Sequence, residues 1–254
     1  EAALGGLRIE EARGFYAEHY VPNRASLAIA GQFDLNRARE LVSRFFETIP
    51  RGRDVPRAAP PPNVPLKREQ VRNLEDGLAT SPAFFCGFRL GAPSPADMAP
   101  LNVIESLLLK GPASRLQRRL LDRSSRIAFR AGGGIDLRRG EAAFRMFVVV
   151  NTESMLSVCR NAIASEFDRL RRTFVPEDEL ARAKRVFEAE HLDRFSTPTA
   201  QAFSLADAFL SFPDVSALPG ELEQALRVTA YDVRVAANRY FAPENMLLLN
   251  VRSR

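Results

Sequence analysis

Residues 7–31 read LRIEEARGFYAEHYVPNRASLAIAG, and residues 226–251 read LRVTAYDVRVAANRYFAPENMLLLNV. Both run in the same order: Leu-Arg-aliphatic, a helix with acid in its first turn, a closing tyrosine, a proline turn, then an apolar strand. In the first copy Ile9, Ala12, Phe15, Tyr16 and Tyr20 recur at three- and four-residue spacing, which predicts a helix over 8–20. Pro22 ends it, and SLAIAGQF (26–33) reads as a buried strand. Tyr20 answers Tyr240 and Pro22 answers Pro243, a period of roughly 220 residues. The comparison predicts a tandem α+β protein holding the tail of a first copy and a complete second one. Most of the first copy would then lie upstream of Glu1.

Working outward, Asp34 or Asn36 is placed to cap a helix over 36–48, whose apolar stripe is Ala38, Leu41, Val42, Phe45 and Phe46. RGRDVPRAAPPPNVP (51–65) follows, and its five prolines make it an extended linker. The expected division is therefore 1–50 as the tail of a truncated domain, 51–65 as linker and 66–254 as the second domain. In that domain strands are predicted at 69–73 and 83–90, then helices over 96–109 and to Leu121, broken by Gly111-Pro112. Further strands fall at 127–135 and 143–150. Thr152 is a candidate cap for a helix to Leu170, Pro176 opens another, and helices at 199–212 and 229–240 precede the closing strand. AGGGID (131–136) lacks the lysine and helix of a phosphate loop; glycines in a strand mark a bulge or a close backbone approach.

The chain has 254 residues and a net charge of +5. Its arginines are scattered among acids and are not interleaved with aromatics on one stripe, which argues against a nucleic-acid track. No run of apolar residues is long enough to span a membrane. No signal peptide is visible at Glu1, and the compartment (bacterial cytoplasm or periplasm) stays open. Cys86 and Cys159 read as small core hydrophobes, with their pairing open.

FEAEH (187–191) needs only a histidine at 187 to become H-x-x-E-H, in which two histidines hold zinc and a glutamate works the water. Phe187 supplies no nitrogen, however. His191 and Glu188 offer two ligands where zinc commonly takes three from protein, and His19, the one other histidine, lies beyond the linker. The expectation is a charged helix with His191 partly exposed beside Glu188, and no metal site.

FYAEHYVPNRASLAIAGQFD, followed by a helix and FFETIP, resembles the F-Y-x-x-x-Y-x-P-x-N…G-D closing unit of pitrilysin/insulinase-type (inverzincin) zinc peptidases. That family includes mitochondrial processing peptidase-like proteins and their cytochrome-complex core relatives. Downstream, GPASRLQRRLLDRSSRIAF, FVPEDELARAK and APENMLLLNV are similar to the family's Gly-x-x-Ser-Arg-Leu helix, its E-L-x-x-A-K helix start and its final strand, in the family's order.

The resemblance implies a largely antiparallel mixed sheet backed by helices, in tandem domains joined as a clamshell. It also implies zinc in a domain not present here and none in this chain. The expected role is a noncatalytic C-terminal region walling a chamber for peptide or unfolded polypeptide, beside a catalytic half or partner chain. The alternative is a scaffold subunit without peptidase activity. In the family an arginine and a tyrosine near LLDRSSRIAF contact substrate backbone. Here Asp122 falls at the arginine position, Arg123 one residue later, and Phe129 at the tyrosine position, so polar grip on a peptide is expected to be weak. Self-association through residues 1–50 is a further expectation.

Overall fold

The computed structural model describes residues 6–54, 68–122, 124, 127–138, 141–211 and 218–253. Two compact units are formed, residues 1–60 with 194–213, and residues 61–193 with 214–254. The helix Pro198–Ser211 clusters with the first unit. Residues 55–67, most of the expected linker, lie outside the described set.

In the first unit, α1 (Ile9–His19) ends before a 3₁₀ turn at Pro22–Arg24, and α2 (Leu35–Phe46) follows. Asp34 is the residue that caps α2, accepting from the Arg37 amide at 2.7 Å. The strand expected at 26–33 is not formed: Ala25 is extended (φ −108°, ψ 150°), but no described strand runs beside residues 26–33. Extended backbone becomes a strand only where a neighbour takes its N–H and C=O groups.

The second unit is built on five strands: β1 (Gln70–Asp76), β2 (Ala83–Gly91), β3 (Ala128–Arg138), β4 (Glu141–Val150) and β5 (Met246–Ser253). Their order is β1-β5-β2-β4-β3, with β1 parallel to β5 and every other pair antiparallel. Between them lie α3 (Pro95–Leu108), α4 (Arg115–Leu121), α5 (Met155–Arg172) and α6 (Glu177–Asp193). Pro198–Ser211 is α7; α8 (Leu218–Arg227) and α9 (Ala230–Tyr240) lead to β5. The helix α8 was not anticipated, because LPGELEQALR offers only one turn of apolar spacing around Leu222, Ala225 and Leu226.

α9 and the turn Pro243–Asn245 match α1 and Pro22–Arg24 in form: an 11-residue helix, two connecting residues, then a three-residue 3₁₀ turn. The likeness ends at the strand, since β5 lies between β1 and β2.

The core sits between one face of the sheet and the helices. Alternation along β2 and β4 sends Phe84, Phe88, Phe144, Met146 and Val148 inward to the helices. The Phe88 ring lies 4.5 Å from Phe167 of α5 and 5.1 Å from Phe241, and Phe144 meets the same two rings at 5.7 and 5.3 Å. Cys86 and Cys159 are buried and free, which answers the pairing question. Burial pushes both thiols up, Cys159 to about 11, so neither is poised as a nucleophile.

Candidate functional site

α4 and β3 place the three residues suggested by sequence. Asp122 follows α4, where its Oδ1 accepts from the Ser124 amide at 2.8 Å and from the Ser124 hydroxyl at 2.7 Å. The bond from the Ser124 amide, then that from its hydroxyl, holds the Asp122 carboxyl below the usual carboxylate range. Arg123 lies outside the described residues. Phe129 is 58% exposed and does not join the core. The β3–β4 register steps between Ala128 and Arg130, so Phe129 is the extra residue of a bulge, a device that re-aims a side chain. The carboxylate of Asp122 is thus locally engaged, while the ring of Phe129 faces outward.

Beyond the bulge, β3 is an edge strand, yet its outer rim is partly occupied. The Ile135 amide donates to Glu105 Oε2 of α3 at 3.2 Å, and Gln117 Nε2 of α4 donates to the Ala131 carbonyl at 3.4 Å. Lys110 Nζ lies 3.1 Å from Glu105 Oε1 and 3.4 Å from Glu190. The glycines here serve close approach: a Cβ on Gly133 (φ 147°) would stand 2.1 Å from the Arg145 carbonyl oxygen. One on Gly134 would meet the Glu105 carboxylate at 2.5 Å.

The sheet face turned away from the helices is the larger feature. Register sets its central row as Arg72, Leu249, Phe85, Phe147 and Gly132. On one side the adjoining row is Leu74, Val251, Ala83, Val149 and Arg130; on the other it is Gln70, Leu247, Gly87, Arg145 and Gly134. Phe85 is 43% exposed and Leu247 40%. The rings of Phe85 and Phe147 lie 6.4 Å apart, and the Arg130 guanidinium sits over Phe147 at 5.5 Å. Sequence reasoning missed this face. The signal was present, because both β2 and β4 are apolar at alternate positions on either side, as expected of strands meeting apolar matter on two faces.

FEAEH lies in α6, and its histidine is buried rather than partly exposed. His191 Nδ1 is 3.6 Å from Glu221 Oε2 of α8. Glu221 also accepts from Asn102 of α3 at 3.1 Å, so the histidine helps to join three helices. His19 is engaged elsewhere, its Nδ1 donating to the Phe15 carbonyl at 3.1 Å with the two rings stacked. Among the described residues no group of three or more His, Cys, Asp and Glu gathers to hold a metal.

A family model for the peptidase M16 inactive domain matches residues 6–187. The chain belongs to this family. It is 22% identical to the zinc protease PqqE of Helicobacter pylori over 237 residues, covering 92% of this chain and 52% of that protein. It therefore spans about half the length of that relative. A solved Helicobacter pylori protease shares the fold with a TM-score of 0.84 at 18% identity, over 99% of this chain and 60% of that one. The peptidase M16 inactive domain of Pseudomonas fluorescens gives a TM-score of 0.76 at 14% identity, over 100% and 60%. The M16 inactive-domain fold accounts for the helix-backed sheet, and these relatives are bacterial.

Proposed function

We propose that this chain is the noncatalytic, C-terminal type of region in a zinc-peptidase-like protein, and that its sheet walls a substrate chamber and contacts extended peptide. The observation that carries the reading is the open sheet face. A soluble sheet backed by helices on one side ordinarily turns polar residues outward on the other. This one presents Leu249, Phe85 and Phe147 in one row across three adjacent strands. Such a surface suits unfolded polypeptide, whose own apolar side chains are uncovered. Chemistry on the peptide bond would come from a catalytic half or partner chain of the same family. There zinc would polarise the carbonyl and activate water.

Photo-crosslinking tests the reading. A benzophenone side chain placed at Phe85 on the open face should label fluorescein-tagged unfolded casein. The same group at Val158, an exposed position on α5, should not. Equal labelling from both positions, or none from Phe85, would leave the domain as a scaffold of the same fold.

A further inference from the structure

We propose that the open sheet face selects peptides in which bulky apolar side chains are flanked by carboxylates. The proposal rests on the reading of this face as a peptide-contacting wall and adds the class of peptide. Charge is the first argument. The three central rows carry Arg72, Arg130 and Arg145 and no carboxylate. The acids at its margins are engaged: Asp136 and Asp76, each one row further on, by Arg145 at 2.5 Å and by the Leu78 amide at 2.9 Å, and Glu105, beside Gly134, by Lys110 at 3.1 Å. Arg130 is placed with its guanidinium over the Phe147 ring, which fixes the fork and leaves its edge for a carboxylate.

Spacing is the second argument. Arg72 stands on edge strand β1 and Arg130 on edge strand β3, with three strands between them. Four inter-strand steps of about 4.8 Å put the two strands about 19 Å apart, the reach of roughly six extended residues. Leu249, Phe85 and Phe147 fill the interval. Gly87 lies beside Phe85 on this face, and a Cβ there would meet only the Phe144 carbonyl oxygen, at 3.8 Å. That position leaves a shallow depression for an incoming apolar side chain. The rim of β3 is the poorer dock, since Glu105 and Gln117 already hold the Ile135 amide and the Ala131 carbonyl.

The test is fluorescence anisotropy of the whole chain with three labelled hexapeptides: Glu-Ala-Phe-Phe-Ala-Glu, Lys-Ala-Phe-Phe-Ala-Lys and Glu-Ala-Ser-Ser-Ala-Glu. The first should bind at least about tenfold tighter than either of the others. Arg72→Gln, Arg130→Gln and Phe85→Ala should each weaken it by about threefold to tenfold. These are surface changes, and circular dichroism checks that each variant is folded. Equal affinity for the acidic and basic peptides would overturn the proposal. So would tight binding that none of the three substitutions moves, although peptide contact itself would then stand. Failure of all three peptides to bind at about 1 mM would bring down both the selectivity and the peptide-wall reading.

Discussion

At the scale of single residues, Arg115 has the most to lose. It is buried at the start of α4, bonded through Nε to Glu179 of α6 at 3.0 Å, with Nη1 3.8 Å from Glu166 of α5. Arg119 reaches the other oxygen of Glu166 at 2.9 Å. One guanidinium therefore holds two carboxylates from two helices, and deleting it leaves Glu166 buried with only a half-exposed arginine for company. Arg115→Met should cost about 3–5 kcal/mol in urea unfolding, whereas Arg115→Met combined with Glu166→Gln should recover a good part of that. A double variant no more stable than the single one would show that charge burial is not the cause. Arg115 was legible as part of the Gly-x-x-Ser-Arg-Leu resemblance, but its partners were not, because Glu166 and Glu179 come from helices far along the chain. The same limit applies to Asp122 and Phe129. Sequence placed them in one short stretch, while the bulge that turns Phe129 outward is a property of the β3–β4 register.

At the scale of elements, local rules did most of the work. The helix expected at 8–20 runs over Ile9–His19, that at 96–109 over Pro95–Leu108, and the strand at 83–90 over Ala83–Gly91, because periodicity and proline punctuation are local signals. What they could not supply was pairing: nothing local says that β1 lies parallel to β5, or that residues 26–33 run beside no described strand. Asp97 shows an element held by a titratable group. It bonds back to its cap Ser94 at the start of α3 and accepts from Arg239 of α9 at 3.0 Å. Burial alone would raise its carboxyl, but hydrogen bonds from Ser94 and Tyr240, together with Arg239, bring it below the usual carboxylate range. A carboxyl depressed in the folded state contributes stability that is complete above its unfolded value. That contribution is lost as pH falls through the folded one. Asp97→Asn should therefore cost about 1 kcal/mol at neutral pH and flatten the fall of the urea midpoint on acidification. An unchanged acid limb would show that the coupling of α3 to α9 does not depend on this charge. In β3, Gly133→Ala should cost about 2–3 kcal/mol, since its left-handed φ adds strain to the clash with the Arg145 carbonyl. A thermal midpoint within a degree of the parent would refute that.

At the scale of the molecule, buried apolar matter is unevenly shared. Among the described residues from 6 to 54 none is buried, and α1 and α2 keep Phe15, Tyr16, Phe45 and Phe46 more than half exposed. The second unit holds the whole of the main core cluster. Local stability follows buried contact, so amides of α1 and α2 should exchange with solvent well before those of β2, β4 and α5. The exposed aromatics carry a further consequence. Apolar side chains on helices without a core are surfaces that recruit partners, a second copy included. Light scattering should give a molecular mass that rises with concentration, and Phe15→Ser with Phe46→Ser should return it toward the monomer. Because neither residue is buried, the changes should leave the unfolding midpoint of the second unit where it was. A concentration-independent monomer, with residues 9–46 exchanging as slowly as the sheet, would mean that the first unit is stable by itself and needs no partner.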